Sequence, residues 1–188
     1  MIKSDIINFN KEFKLQGWEK PISLFEKYYE EQENGIRRVF VACNDKQVLG
    51  YATLIPNDEN GPFANKKIPT LRDFNVLEKY QNKGIGTALL DKIEDTVKEY
   101  SKSICLGVGL HSGYGSAQRM YVKRGYIPDG SGVWYNNMLL EQNAQCRNDD
   151  KEAIINDKNI ELCKKEVQVE SEKIGLNKFE GLDQNENY

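Results

Sequence analysis

Apolar positions along the middle of the chain follow two periods. Ile68, Leu71, Phe74 and Val76 read as a mostly buried strand, whereas Ile85, Leu89, Ile93, Val97 and Tyr100 recur every three or four residues, as one face of a helix does. The period switches between Tyr80 and Gly84. Upstream, Ile22, Phe25, Tyr28 and Tyr29 make a helical stripe behind Pro21, which suits a first helical turn, and Gly17-Trp18 marks a bend between two short helices. Val39 to Ala42 and Val48 to Ile55 are expected strands joined at Asn44-Asp45-Lys46. Asn57 to Lys67, with Gly61 and Pro62, is a loop long enough to form part of a mouth. Downstream, the helix after Gly84 is expected to end near Tyr100, and a strand to cover Ser103 to Leu110. Ser116 suits the cap of a short helix carrying Tyr121, and Val133-Trp134-Tyr135 begin a last strand. The order of helices, three strands, helix, strand, helix, strand is an α/β arrangement with a mixed sheet.

The switch point carries the candidate chemistry. A helix starting after Gly84 leaves roughly four backbone N–H groups without intrahelical partners, and its dipole places about half a positive charge there. A pyrophosphate satisfies both. Gly84 and Gly86 hold no side chain between ligand and amides, and Gln81, Asn82 and Lys83 offer donors and one charge from the rim. A glycine turn that merely connects strand to helix remains the competing reading. Two other phosphate motifs are excluded: no third glycine stands at the dinucleotide-fold spacing, and no Gly-Lys-Ser/Thr sequence occurs.

Composition sets outer limits. The 188 residues are 29% charged and 39% hydrophobic, which suits one soluble domain with an appendage. No apolar run approaches the roughly 18 residues of a membrane span, and the first residues do not resemble a signal peptide, so a cytoplasmic location is expected. Residues 142–188 contain seven basic and eleven acidic residues, leaving the preceding part nearly neutral. A neutral body gives no electrostatic case for nucleic acid. Cys43 and Cys105 lie in strand-like runs as expected buried small hydrophobes, and the four cysteines show no zinc or disulfide spacing. His111 is the sole histidine, which rules out a multi-histidine centre. No metal is expected.

Two segments together resemble a known family. Val76-x-x-x-x-Gln81-x-x-Gly84-x-Gly86 is similar to the acyl-CoA signature Arg/Gln-x-x-Gly-x-Gly/Ala of the GNAT superfamily of N-acyltransferases. Ala117-x-x-x-Tyr121-x-x-x-Gly125-Tyr126 resembles the family's later Ala-x-x-x-Tyr-x-x-x-Gly-Phe/Tyr segment. The resemblance covers roughly Ile2 to Glu141. It implies an N-acetyltransferase domain over residues 1–141, built as a mostly antiparallel mixed sheet flanked by helices. Residues 142–188 are expected to be an acidic extension, partly helical or disordered.

The resemblance further implies acetyl-CoA as co-substrate. Phe74 and Val76 would pair with its pantetheine arm, and backbone amides of Gln81, Asn82, Lys83, Gly84, Ile85, Gly86 and Thr87 would hold the pyrophosphate. The pantetheine is expected in the gap where the family's fourth and fifth strands splay apart, with His111 to Ser116 as the loop on its far side. Tyr121 would protonate the departing thiolate while an amine attacks directly in a ternary complex. Its unperturbed pKa near 10 keeps it protonated at neutral pH.

This chain departs from the family at two places. Relatives often carry an asparagine where Tyr114 stands, so Tyr114 is a candidate for shaping the acceptor pocket. Many carry a Glu-Asp pair at the positions of Arg72 and Asp73. Asp73 is the candidate base, acting through water, although strand alternation can equally turn it to the wrong face. Arg72 suits an acceptor bearing a carboxylate or phosphate. Trp18, Tyr29 and Trp134 are candidates for an aromatic acceptor site. The expected acceptor is a small-molecule or peptide amine, with a homodimer compatible. A non-catalytic acyl-CoA sensor is the alternative.

Overall fold

The computed structural model describes residues 1–45 and 47–145 and the backbone of 159–165. Four helices, α1 (Lys3–Leu15), α2 (Ile22–Glu33), α3 (Ile85–Lys98) and α4 (Gly115–Lys123), flank one sheet. Its strands are β1 (Arg38–Asn44), β2 (Gln47–Ile55), β3 (Thr70–Val76), β4 (Ser103–Gly109), β5 (Ile127–Tyr135), β6 (Met138–Leu139) and β7 (Asn159–Lys165). The sheet order is β1-β2-β3-β4-β7-β5-β6. Among the described residues only β3 and β4 run parallel, so the sheet is mixed and mostly antiparallel, as expected.

Each face of the sheet buries a large cluster, and Phe63 with Cys105 and Ile68 forms a smaller third one. Phe9 and Phe13 from α1 and Phe25 and Tyr28 from α2 pack on Val48, Tyr51 and Leu77. On the other face Leu90, Ile93 and Val97 of α3, with Tyr121 of α4, pack on Ala52, Leu54, Leu71, Ile104, Leu106 and Val108. Tyr51 and Ala52 are neighbours in β2 yet join opposite clusters, which is the period-two alternation at work. Burying an apolar side chain of this size stabilises by about 1.5–3 kcal/mol, so the α3 stripe alone fixes that helix on the sheet.

Two irregularities in the sheet shape the cleft beside it. Tyr51 of β2 opposes Asn75 of β3 and Thr53 opposes Arg72, so Asp73 and Phe74 together face Ala52. This is a β-bulge, and Asp73 takes φ +40° within it. The extra residue keeps Leu71, Phe74 and Val76 on the α3 face, despite the odd spacing between Leu71 and Phe74. It also turns Asp73 toward α1 and α2. Secondly, β3 and β4 pair only at Thr70 with Cys105 and Leu71 with Leu106. Beyond those two pairs the parallel strands part.

The tail differs from expectation. Asn159–Lys165 is a strand, not a helix, and it lies between β4 and β5. Residues 1–141 therefore do not complete the sheet by themselves. The rest of the expected partly helical or disordered extension, residues 146–158 and 166–188, lies outside the described residues. Three smaller differences are local. Cys43 is exposed while Cys105 is buried. Val133-Trp134-Tyr135 end β5 rather than begin it. Tyr114, not Ser116, holds the N-cap position of α4, and its side chain accepts no capping bond. Among the described residues no helix is long and apolar enough to cross a membrane.

Candidate active site

A cleft of about 560 Å³ opens where β3 and β4 part, walled by the starts of α3 and α4. Gly84 caps α3 at φ +80°, a conformation that favours glycine, and no side chain caps that end. The first intrahelical bond runs from the Ala88 N–H to the Gly84 carbonyl at 2.9 Å. The amides of Ile85, Gly86 and Thr87 precede it and point out of the helix. There is room for a ligand to meet them. A Cβ on Gly84 would touch nothing within 4 Å, and one on Gly86 would make ordinary contacts with Phe74 and Val76 at 3.6 and 3.7 Å. The left-handed backbone favours glycine at Gly84, whereas neither backbone nor packing requires it at Gly86, where the missing side chain leaves the amide open to the cleft.

The cleft brings together most of the residues singled out in the sequence. Phe74, Val76, Gln81, Asn82, Gly84, Ile85, Gly86 and Thr87 line it from the β3 and α3 side, and Tyr114 and Tyr121 from the α4 side, with Trp18 reaching in from the α1–α2 loop. Gln81 donates from Nε2 to the Val76 carbonyl at 3.1 Å, tying the turn to the strand. Past Leu71, no strand among the described residues pairs with the edge of β3 that faces β4. That edge can accept an extended, amide-bearing chain. Tyr114 lies flat on Gly109, where a Cβ would overlap its ring.

Tyr121 is buried, packs its ring 5.5 Å from that of Tyr126, and makes no hydrogen bond among the described residues. Burial pushes its pKa well above the usual phenol value. It is a protonated donor without a hydrogen-bond partner among the described residues.

Other expected residues stand elsewhere. Lys83 donates to the Lys79 carbonyl at 3.0 Å and lies over the Tyr80 ring, outside the cleft lining. Arg72 pairs with Asp58 at 2.8 Å and is tied to the 57–67 loop. Tyr29 lies in a separate groove between α1 and α2, beside Lys3. Trp134 donates from Nε1 to Ser131 within β5. His111 accepts the Gly113 amide on Nδ1, which caps the turn before α4.

Asp73 is not in the cleft lining either, and it is heavily engaged. Its carboxylate accepts from Lys20 Nζ at 2.6 Å, Asn75 Nδ2 at 2.6 Å, Tyr51 OH at 2.5 Å and Tyr28 OH at 2.9 Å. Burial by itself would raise its pKa, but the Lys20 ammonium and the donated hydrogen bonds outweigh it and hold the carboxyl below its usual range. Such a carboxylate is a weak base and a strong anchor. The Lys20 ammonium also sits 5.3 Å from the centroids of Phe13 and Tyr51, so a largely buried cation pins the α1–α2 loop. Sequence periodicity gives no sign of Lys20, because it lies in a loop and its partners come from three other elements.

Asp73→Asn is expected to destabilise the fold by about 2–4 kcal/mol at neutral pH, measured by urea unfolding, because it leaves Lys20 without its counter-charge. The folded carboxyl lies below its unfolded value near 3.9, so this stabilisation is complete above that value and drains away as the pH falls through the folded one. The gap between wild type and variant should narrow in acid. A gap that is constant with pH overturns the assignment.

The fold recurs in solved proteins. A GNAT-family protein of Desulfovibrio desulfuricans superimposes with a TM-score of 0.62 at 17% identity, over 89% of this chain and 95% of that one. The ribosomal-protein-S18-alanine N-acetyltransferase of Escherichia coli does so with a TM-score of 0.61 at 14% identity, over 91% and 94%. A GNAT acetyltransferase of Elizabethkingia anophelis, solved with acetyl-CoA bound, gives 0.52 at 20% identity, over 76% and 82%. No curated protein matches the sequence. The acetyltransferase (GNAT) family profile matches residues 5–126, a span that holds the glycine turn, the parting strands and the Tyr121 helix. The chain belongs to the acetyltransferase (GNAT) family, whose members are acyltransferases that use acetyl-CoA.

Proposed function

We propose that this chain is an N-acetyltransferase in which a primary amine attacks the acetyl group of bound acetyl-CoA directly, with both substrates present together. The observation that carries this reading is Tyr121, a buried phenol without a hydrogen bond among the described residues, in the same cleft as the open amides of α3. The residues present fit the donor. The free edge of Phe74 to Val76 suits an extended chain with amides, and the amides of Ile85, Gly86 and Thr87 suit a diphosphate, with Gln81 and Asn82 adding donors. Acetyl-CoA supplies the activated thioester.

Tyr121 acts at the end of the transfer. Nitrogen bonds to the acetyl carbon, the carbon–sulfur bond breaks, and the phenol gives its proton to the departing sulfur. Burial raises the phenol's pKa, and a thiolate emerging beside that buried phenol loses water too, so the exchange is less uphill than the phenol's shift alone implies. The proton released by the amine leaves to water, and the tyrosinate left at Tyr121 takes a proton back from water, which closes the cycle. Asp73 serves here as the anchor for Lys20, Tyr28, Tyr51 and Asn75 rather than as the base. Trp18 and Asn75 mark the acceptor's side of the cleft, since both line it and belong to the α1 and α2 face.

The test is thiol release from acetyl-CoA across a panel of polyamines, amino acids, amino sugars and peptides with free N-termini. Peptides are included because the Escherichia coli fold neighbour is a ribosomal-protein-S18-alanine N-acetyltransferase. One amine class should accelerate release at least tenfold over buffer, about 1.4 kcal/mol. A protein that binds coenzyme A but turns over none of the panel overturns the catalytic reading in favour of a sensor.

A further inference from the structure

We infer that Arg124 is a positioning residue for acetyl transfer, a clamp that fixes α4 to α3 across the gap where β3 and β4 part; this rests on the acetyl-transfer reading. The two halves share an apolar cluster, in which Leu90, Ile93 and Val97 pack on Ile104, Leu106, Val108 and Tyr121, and Arg124 supplies the ion pairs that cross between α3 and α4. One half is β3 with α3, carrying the open amides; the other is β4 with α4, carrying Tyr121. Beneath them the parallel strands share only two registered pairs.

Arg124 bridges the top. From the C-terminal end of α4 its Nε reaches Glu94 Oε1 at 3.1 Å, and its Nη2 reaches Glu94 Oε2 at 3.0 Å and Asp91 Oδ1 at 2.6 Å. Both acids lie on α3. The contact with Glu94 is the two-pronged arrangement that a planar guanidinium favours, and Glu94 is 4% exposed, so little water competes for it. The same carboxylate lies beside the Tyr126 phenol, whose ring packs on Tyr121. A shift at Glu94 is therefore felt at the proton donor. Transfer requires the amides and the phenol at a fixed separation, and an error of about 1 Å can cost about a hundredfold in rate.

Arg124 also lines the cleft, so direct contact with a donor phosphate is the rival explanation. Arg119 and Lys123 line it too, with no ion pair among the described residues, and they are better placed to serve that need. The two explanations separate experimentally.

The full-length protein and its Arg124→Lys and Glu94→Gln variants are titrated calorimetrically with CoA and with 3′-dephospho-CoA, and their melting temperatures are measured alongside. Lysine keeps the charge but loses the fork. The clamp predicts that each variant weakens both coenzymes alike, by about tenfold, and that the double variant is no weaker than either single one. Loss confined to CoA in the Arg124 variant, with Glu94→Gln unchanged, overturns the clamp in favour of a phosphate contact. Lower melting temperatures with both affinities intact overturn it in favour of a purely structural tie. Should Glu94→Gln fail to fold, Arg124→Lys against the two coenzymes decides alone. A wild type that binds neither coenzyme overturns the acetyl-transfer reading itself, whereas normal wild-type binding with unaltered variants overturns only the clamp.

Discussion

Tyr121→Phe lowers turnover by about 10²–10³-fold and changes acetyl-CoA affinity by less than about threefold. The substitution removes one oxygen and little else. The ring stays packed against Tyr126, and because the hydroxyl makes no hydrogen bond among the described residues, no buried partner is stranded. Stability should be unchanged or slightly higher. Only the step in which sulfur must accept a proton loses its donor, so the effect falls on turnover. Thiol release with the best acceptor of the panel, set beside calorimetric titration with acetyl-CoA, reads both quantities. Equal turnover in the two proteins removes Tyr121 from the mechanism.

Removing residues 142–188 abolishes folding, rather than trimming a regulatory appendage. The deletion takes away β7, which pairs with β4 from Ser103 to Gly109 and with β5 at both of that strand's ends. Two interior strands would then expose rows of unpaired N–H and C=O groups, an arrangement that drives association between chains. Expected results are loss of the soluble product and, for any protein that stays in solution, no cooperative thermal transition. A truncated chain that melts cooperatively near the wild-type temperature shows that the sheet does not need this strand.

How far the sequence can be read depends on how local each signal is. The α3 stripe from Ile85 to Val97 and the glycine turn before it are fixed by neighbours three or four residues away, and both appear where the periodicity places them. The cleft-lining residues of that turn are legible for the same reason. Asp73 is not, because the bulge that turns it depends on register with β2, and no pattern within β3 announces an extra residue. Lys20 and Arg124 escape notice because each works through partners on other elements, 53 residues away for Lys20 and 30 for Arg124. The tail misleads because the apolar positions Ile160 and Leu162 sit among charged neighbours. That mixture suits a helix or an extended strand equally until strand partners are known.

The placement of β7 also governs when the molecule can form. The last strand among the described residues occupies an interior seat in the sheet, so every residue through Lys165 must be synthesised before β4 and β5 gain their shared neighbour. The β1–β3 portion with α1 to α3 can collapse first, as the chain emerges from the ribosome, but the Tyr121 half must wait for the last pairing, which closes over a long stretch of chain. Newly made chains should therefore pass through a half-built stage that cannot transfer acetyl groups.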